Sequence, residues 1–197
     1  VGSEMCIRDS SRALDTPEGP NRRLRAKRLL YSQLVYRRIL SLFGPNLKFV
    51  ICGGAPLSEE LGHFFRGIGM PVLEGYGLTE TCAPLCFNNI KNYRIGTVGP
   101  AVASTDLKIS PSGELLAKSP AIFHRYHNNP EQTEAAFENG WFKTGDLATI
   151  DQDGFVKITG RAKDIIVTAG GKNVAPSVLE DPLRQYALIN EVLVVGE

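Results

Sequence analysis

Between residues 47 and 81 a short apolar run, a glycine-rich break and a helical stretch follow one another, and the first two then recur. Residues 47–52 form the nearly continuous apolar run of a strand buried on both faces. Gly53-Gly54-Ala55-Pro56 interrupts it. Ser58 reads as an N-cap with Glu59 and Glu60 in the first helical turn, and Leu61, Phe64, Phe65 and Ile68 share one apolar face. Residues 71–74 are a second short strand, and Gly75-Tyr76-Gly77-Leu78-Thr79-Glu80-Thr81 follows at once. Strands joined by such a crossover run parallel, so both glycine loops are expected at the same carboxyl edge of a sheet. Ligands of open α/β sheets bind in the crevice outside that edge. Topology alone therefore nominates the two loops as a binding site.

The grammar changes after residue 94. Residues 107–109 and 114–116 flank a Ser110-Pro111-Ser112-Gly113 turn, and 147–150 and 155–158 flank Asp151-Gln152-Asp153-Gly154, as β-hairpins do. Between them Asn129 caps a short helix, with Pro130 at its first position and Gln132 at its third. Antiparallel hairpins after a parallel unit predict an α/β chain with a separate β subdomain, a small barrel or curled sheet. Past Gly160 come a strand at 165–167 and a helix from Pro176, which Pro182 should kink or shorten. Upstream, residues 21–43 have helical spacing, and Gly44-Pro45 stops them. That helix opens with Arg22, Arg23, Arg25, Lys27 and Arg28. A solvated face is the plain reading, and contact with acidic lipid headgroups the functional one.

Both ends of the chain carry expectations too. Residues 1–10 show neither helical nor strand periodicity and lack a signal-peptide layout, so they are read as a non-native leader. Residues 192–195 read as an apolar strand without sequence left to cover it, which points to a truncated chain.

Composition narrows the classes. With 22 basic and 21 acidic residues, the net charge of +1 removes the bulk argument for nucleic-acid binding. No run of about 18 apolar residues exists to span a membrane. Cys6, Cys52, Cys82 and Cys86 are too few and too unevenly spaced for a disulfide framework, and reduced thiols point to the cytoplasm. His63, His124 and His127 receive no role. No pattern in the sequence speaks to oligomeric state.

Residues 75–81 alone could be a glycine turn before a helix start, and Glu80 stands where a dinucleotide fingerprint needs its third glycine. Three further segments change that: Gly53-Gly54-Ala55-Pro56, Gly140-Trp141-Phe142-Lys143-Thr144-Gly145-Asp146 and Gly160-Arg161-Ala162-Lys163-Asp164. In order and rough spacing the set resembles the adenylate-forming (AMP-binding) superfamily of acyl-CoA synthetases, adenylation domains and luciferases. Gly170-Gly171-Lys172-Asn173-Val174-Ala175-Pro176 is most similar to its long-chain fatty acid–CoA ligases. The resemblance covers residues 20–197.

It implies a reaction of fatty acid, ATP and CoA, with Mg²⁺ as cofactor; the reduced thiols point to a cytoplasmic protein, and the basic helix to peripheral contact with the membrane as the functional alternative. Gly53, Gly54, Ala55 and Gly77 would let backbone approach the nucleotide. Tyr76 would offer adenine a stacking face, worth roughly 1–3 kcal/mol; the plainer alternative is a buried loop aromatic. Thr79 and Glu80 would be the catalytic pair, Thr79 on a phosphate oxygen and Glu80 on Mg²⁺, which usually takes one or two carboxylates plus substrate phosphates. Asp146 would accept the ribose hydroxyls, each bond to a charged group being worth roughly 1.5–3 kcal/mol. Arg161 would be the second ribose and phosphate contact.

The resemblance also implies a domain plan. Residues 11–160 would be the C-terminal part of the large domain and 161–197 the beginning of a small α+β C-terminal domain. Asp164 would be the hinge, and Gly170, Gly171 and Lys172 the loop facing CoA. Two family features are missing from the sequence: the upstream phosphate loop, and a catalytic lysine beyond Lys172. A fragment lacking both is expected to be inactive alone. The rival readings are an adenylating enzyme for another carboxylic acid and a non-catalytic nucleotide-binding module.

Overall fold

The computed structural model describes residues 2–82, 84–167, 170, 173–184, 186 and 188–196. It divides into two units, residues 1–74 with 88–96 and residues 75–87 with 97–197.

The first unit opens with a helix, α1 (Gly2–Arg12), where the sequence predicts no periodic element. Its inward face is Cys6, Ile7, Ser10 and Ser11, all buried. Two of these four are serines, so an apolar count misses the face. Ser10 donates its hydroxyl to the Ile7 carbonyl at 2.8 Å, and Ser11 Oγ lies 3.1 Å from His63 Nδ1. Next, α2 (Arg22–Tyr31), a π-helical segment (Ser32–Tyr36) and α3 (Arg37–Phe43) run on without a break, capped by the Asn21 side chain and stopped at Gly44.

β1 (Val50–Cys52) is shorter than the predicted strand and is not buried on both faces: Ile51 is 62% exposed. β1 has one pairing partner among the described residues, so its other edge stays open. Ser58 caps α4 (Glu59–Ile68), its side chain accepting the Leu61 N–H at 3.2 Å. β2 (Val72–Tyr76) then returns parallel to β1 in the register Val50↔Val72, Ile51↔Leu73 and Cys52↔Glu74, as the crossover requires. Ile7, Tyr36, Ile68 and Met70 are this unit's core.

β2 runs two residues past the predicted strand. Gly75 and Tyr76 pair antiparallel with β3 (Cys86–Phe87) within the second unit, so the glycine loop begins only at Gly77. A Cβ on Gly75 would lie 2.8 Å from the Phe87 ring, which explains glycine inside a strand.

The rest of the second unit is mostly antiparallel sheet. β4 (Asp106–Ile109) and β5 (Glu114–Lys118) form the first predicted hairpin. Asn129 caps α5 (Pro130–Ala135) by accepting the Gln132 N–H at 3.0 Å. β6 (Phe137–Glu138), β7 (Trp141–Ile150) and β8 (Val156–Arg161) complete a five-stranded sheet ordered β4-β5-β7-β6, with β8 also paired to β7. Its inner face is Leu115, Ala117, Phe142, Ala148 and Val156, joined by Leu85 and Cys86. β9 (Ile166–Val167) and β10 (Asn173–Val174) form an antiparallel pair, and α6 (Pro176–Arg184) runs two residues past Pro182.

Residues 191–196 form no strand, contrary to the apolar pattern. Leu193 and Val195 are 80% and 79% exposed, and the Val194 N–H donates to Glu180 Oε1 rather than to a neighbouring strand. Parallel and antiparallel pairing together make the chain mixed α/β. No helix among the described residues is long and apolar enough to cross a membrane.

Candidate functional site

The second unit encloses an open cleft of about 600 Å³. One wall begins where β2 ends. Thr81 closes a short turn on itself, its hydroxyl donating to the Leu78 carbonyl at 2.8 Å and accepting the Leu78 N–H at 2.9 Å. That turn leaves Thr79 exposed and Glu80 half-buried on the wall. Glu80 is gripped twice: its carbonyl accepts the Phe123 N–H at 2.7 Å, and its Oε1 accepts the Tyr126 hydroxyl at 2.9 Å. Burial raises the Tyr126 phenol above its ordinary pKa, and the Glu80 carboxylate raises it further, so the phenol is a stable donor.

The opposite wall is built on β7 and β8, and Asp146 and Arg161 are direct cross-strand neighbours. Asp146 is only 4% exposed. Its Oδ2 accepts the Tyr76 hydroxyl at 2.6 Å, and its Oδ1 lies 3.2 Å from Arg161 Nε. Burial pushes the Tyr76 phenol far up, and the bond to Asp146 adds to it. The irregular stretch of β7 before Asp146, where its register against β5 shifts, is also held: Gly145, at φ +74°, donates its N–H to Glu114 Oε1 at 2.9 Å. Thr144 accepts the Asp146 N–H at 3.2 Å and donates to the Leu115 carbonyl at 2.8 Å. A positive φ costs an L-residue roughly 1–2 kcal/mol, which glycine avoids.

Gly77, Thr79, Glu80 and Arg161 therefore share one cleft. Tyr76 and Asp146 meet each other by hydrogen bond but do not wall it. Gly53, Gly54 and Ala55 lie in the first unit, in the exposed loop after β1. There the Leu57 N–H donates to Glu74 Oε1 at 3.2 Å. Burial holds the Glu74 carboxyl above the usual carboxylate range, and the bond from Leu57 opposes that shift. Asp164 ends a short turn (Ala162–Asp164) and is exposed, as is Gly170. Gly171 and Lys172 lie outside the described residues.

Residue patterns did not nominate Tyr126, Glu114, Lys143 or Glu74. Glu114 carries a faint signal, since it directly follows the Gly113 turn; Tyr126 carries none, because nothing local links it to Glu80.

The donor set can be tested against Mg²⁺. Glu80 brings a carboxylate to the cleft with Thr79, and Glu114, whose Oε1 accepts the Gly145 N–H, lines the same cleft; no cluster of three His, Cys, Asp or Glu side chains suited to a metal occurs among the described residues. Mg²⁺ keeps several waters and usually takes one or two carboxylates plus substrate phosphates. The Glu80 carboxylate in an open cleft fits a cation that arrives on a nucleotide.

Known proteins extend this picture. Over 179 residues the chain is 50% identical to the long-chain-fatty-acid–CoA ligase FadD15 of Mycobacterium bovis, covering 91% of this chain and 30% of that protein. It is 34% identical over 166 residues to 2-succinylbenzoate–CoA ligase of Listeria monocytogenes, covering 81% and 35%. Among solved structures, O-succinylbenzoate CoA synthetase (MenE) from Bacillus subtilis in complex with its acyl-adenylate intermediate matches at TM-score 0.71 and 29% identity, covering 81% of this chain and 36% of that one. The same enzyme in complex with ATP and magnesium ion matches at TM-score 0.68 and 30% identity, with the same coverage. The chain thus spans from 30% to 36% of the length of these proteins. The model of the AMP-binding enzyme family matches residues 16–127, more than half of the chain, and the chain belongs to that family.

Proposed function

We propose that the chain is part of an ATP-dependent long-chain fatty acid–CoA ligase. A fatty acid carboxylate attacks the α-phosphorus of ATP and pyrophosphate leaves; the CoA thiol then attacks the acyl carbon and AMP leaves, giving acyl-CoA. The observation that carries the reading is the cleft of the second unit, where Thr79 and Glu80 share walls with Arg161. The likeness to FadD15, stronger than that to the succinylbenzoate ligase, favours a long-chain acid.

In this reading the chain positions reactants and stabilises charge, and needs no covalent adduct. Thr79 donates to a phosphate oxygen, and the Arg161 guanidinium offsets developing negative charge. Glu80 holds the cation, which supplies charge neutralisation on the phosphates when bound. Asp146 accepts ribose hydroxyls; an ionised carboxylate has about four lone-pair sites, so it can do so while keeping Tyr76 and Arg161 as partners. Tyr76, Gly77, Gly53, Gly54 and Ala55 are assigned to the nucleotide base.

The domain plan of 11–160 and 161–197, the hinge at Asp164 and the CoA-facing loop at Gly170, Gly171 and Lys172 belong to the same proposal. Asp164→Pro should then suppress acyl-CoA formation more than pyrophosphate exchange, because proline locks one backbone torsion and removes an N–H. The reaction itself is tested by acid-dependent pyrophosphate exchange on the full-length chain. Long-chain fatty acids should drive exchange, and a stronger response to aryl acids would move the assignment to another ligase of the family.

A lipid contact is proposed for the helical run 22–43. It holds Arg22, Arg23, Arg25, Lys27, Arg28, Arg37 and Arg38 with no acidic residue, and Leu29, Leu30 and Leu34 are exposed beside them. Such a helix can lie on an anionic surface. Co-sedimentation with phosphatidylglycerol vesicles should be lost when Arg22, Arg23 and Arg25 become glutamate, and unchanged sedimentation would remove the proposal.

A further inference from the structure

We infer that Tyr126 is a positioning residue for Glu80, its phenol setting the orientation in which the carboxylate meets a nucleotide-borne cation. The inference rests on the reading of Glu80 given above. Both side chains wall the same cleft, and the Tyr126 hydroxyl donates to Glu80 Oε1 at 2.9 Å. The same segment reaches the backbone of that residue, through the Phe123 N–H on the Glu80 carbonyl at 2.7 Å. Glu80 is thus held at main chain and side chain from one place.

Tyr126 is itself anchored. Its N–H donates to Thr133 Oγ1 at 3.0 Å, and that hydroxyl donates to the Asn129 carbonyl at 2.7 Å, at the start of α5. Its ring packs on Phe123 with centroids 4.6 Å apart, and Phe123 stacks on Phe137 at 5.6 Å. The donor is therefore in place without a ligand. Glutamate loses much rotamer freedom when ordered, and a preset carboxylate lowers that cost at binding.

The chemistry of the donor fits this task. A lysine or arginine in the same place would pair with Glu80 and offset the charge a cation needs. A neutral phenol orients the carboxylate and leaves its charge intact. It also occupies one oxygen only; Oε2 has no hydrogen-bond partner among the described residues.

The test uses the full-length chain as wild type, Tyr126→Phe, Glu80→Gln and the double variant. ATP binding is measured by calorimetry in saturating Mg²⁺ and in EDTA, with melting temperature as the control for folding. Phenylalanine keeps the ring packing, so the melting temperature should hold. Tyr126→Phe should weaken binding in Mg²⁺ by about tenfold, the lower end of the scale for one hydrogen bond to a charged group, and leave binding in EDTA unchanged. Adding it to Glu80→Gln should cost nothing further. No loss in Mg²⁺, an equal loss in EDTA, or the same loss on top of Glu80→Gln would each overturn the inference while leaving the role of Glu80 standing. If Glu80→Gln keeps the full Mg²⁺ dependence, the reading of Glu80 fails, and the role of Tyr126 falls with it.

Discussion

The glycine loop of the first unit and those of the second are held by different means. Residues 53–56 are exposed, and the loop is tied through Leu57 to Glu74, the carboxylate that follows it in the fold. In the second unit, bonds between residues far apart in sequence hold the corresponding segments: Tyr76 to Asp146, Tyr126 to Glu80, and Gly145 to Glu114. Their cores differ in the same sense. The first is mainly helical, around Ile7, Tyr36, Ile68 and Met70; the second is a sheet face around Leu115, Phe142 and Val156. In the second unit, pairing between strands distant in sequence brings the polar partners around Asp146 together.

The largest effect should come from that sheet core. Leu115 is fully buried, so Leu115→Ala should cost about 2–5 kcal/mol. Leu42 in α3 is 84% exposed, and Leu42→Ala should stay within roughly 0.5 kcal/mol. Denaturant unfolding of the chain measures both, and similar losses would erase the contrast between the sheet core and the open helical surface.

Next comes Asp146→Ala in the full-length chain. If Asp146 accepts ribose hydroxyls as proposed, its loss should weaken ATP about 10- to 100-fold, from the strength of bonds to charged groups, and leave fatty acid affinity unchanged. Calorimetry with each ligand decides it, and an unaltered ATP affinity would mean that the Tyr76–Asp146 bond serves stability alone.

Glu74 gives a smaller, pH-dependent effect. Burial raises its folded pKa above the unfolded value, so the native state binds more protons between the two. Its contribution to stability is full below the ordinary glutamate range, near about 4.3, and is lost as pH rises through the folded value. Glu74→Gln keeps an acceptor for the Leu57 N–H without titrating. Unfolding midpoints followed upward from acid should therefore fall less steeply in Glu74→Gln than in the wild type; parallel slopes would show that another group sets the profile.

The smallest change is expected at Arg161. Its side chain is 56% exposed, and the buried Asp146 keeps the Tyr76 hydroxyl as a donor, so Arg161→Ala should lower stability by about 1 kcal/mol, the upper end for solvent-screened ion pairs. A shift in melting temperature as large as that of Leu115→Ala would mean that the ion pair supports the β7–β8 ladder.

Several of these features were legible beforehand because their causes are local. Ser58 and Asn129 cap the helices they were expected to cap, since a cap depends on residues three positions away. The two hairpins turn where proline, serine, aspartate and glycine cluster. Where a neighbour decides, the pattern misled. Ile51 belongs to an apolar run, yet it is 62% exposed, because nothing among the described residues covers its face of β1. Residues 192–195 are apolar but form no strand, and the Val194 N–H bonds the Glu180 side chain instead. α1 escaped notice because serines make up half of its inward face.

Residue types and spacing by themselves determined the parallel β1–β2 unit, the hairpin sheet and the family motifs at 75–81, 140–146 and 160–164. Each depends on interactions within a few residues or on the handedness of one crossover. Only the tertiary structure decided that Asp146 is buried against Tyr76, that Arg161 is its cross-strand neighbour, and that Tyr126 reaches Glu80. A hydrogen bond between residues 46 positions apart leaves no periodic trace in a sequence. It exists because strand register and loop packing bring two polar groups together, and either partner alone reads as an ordinary surface residue.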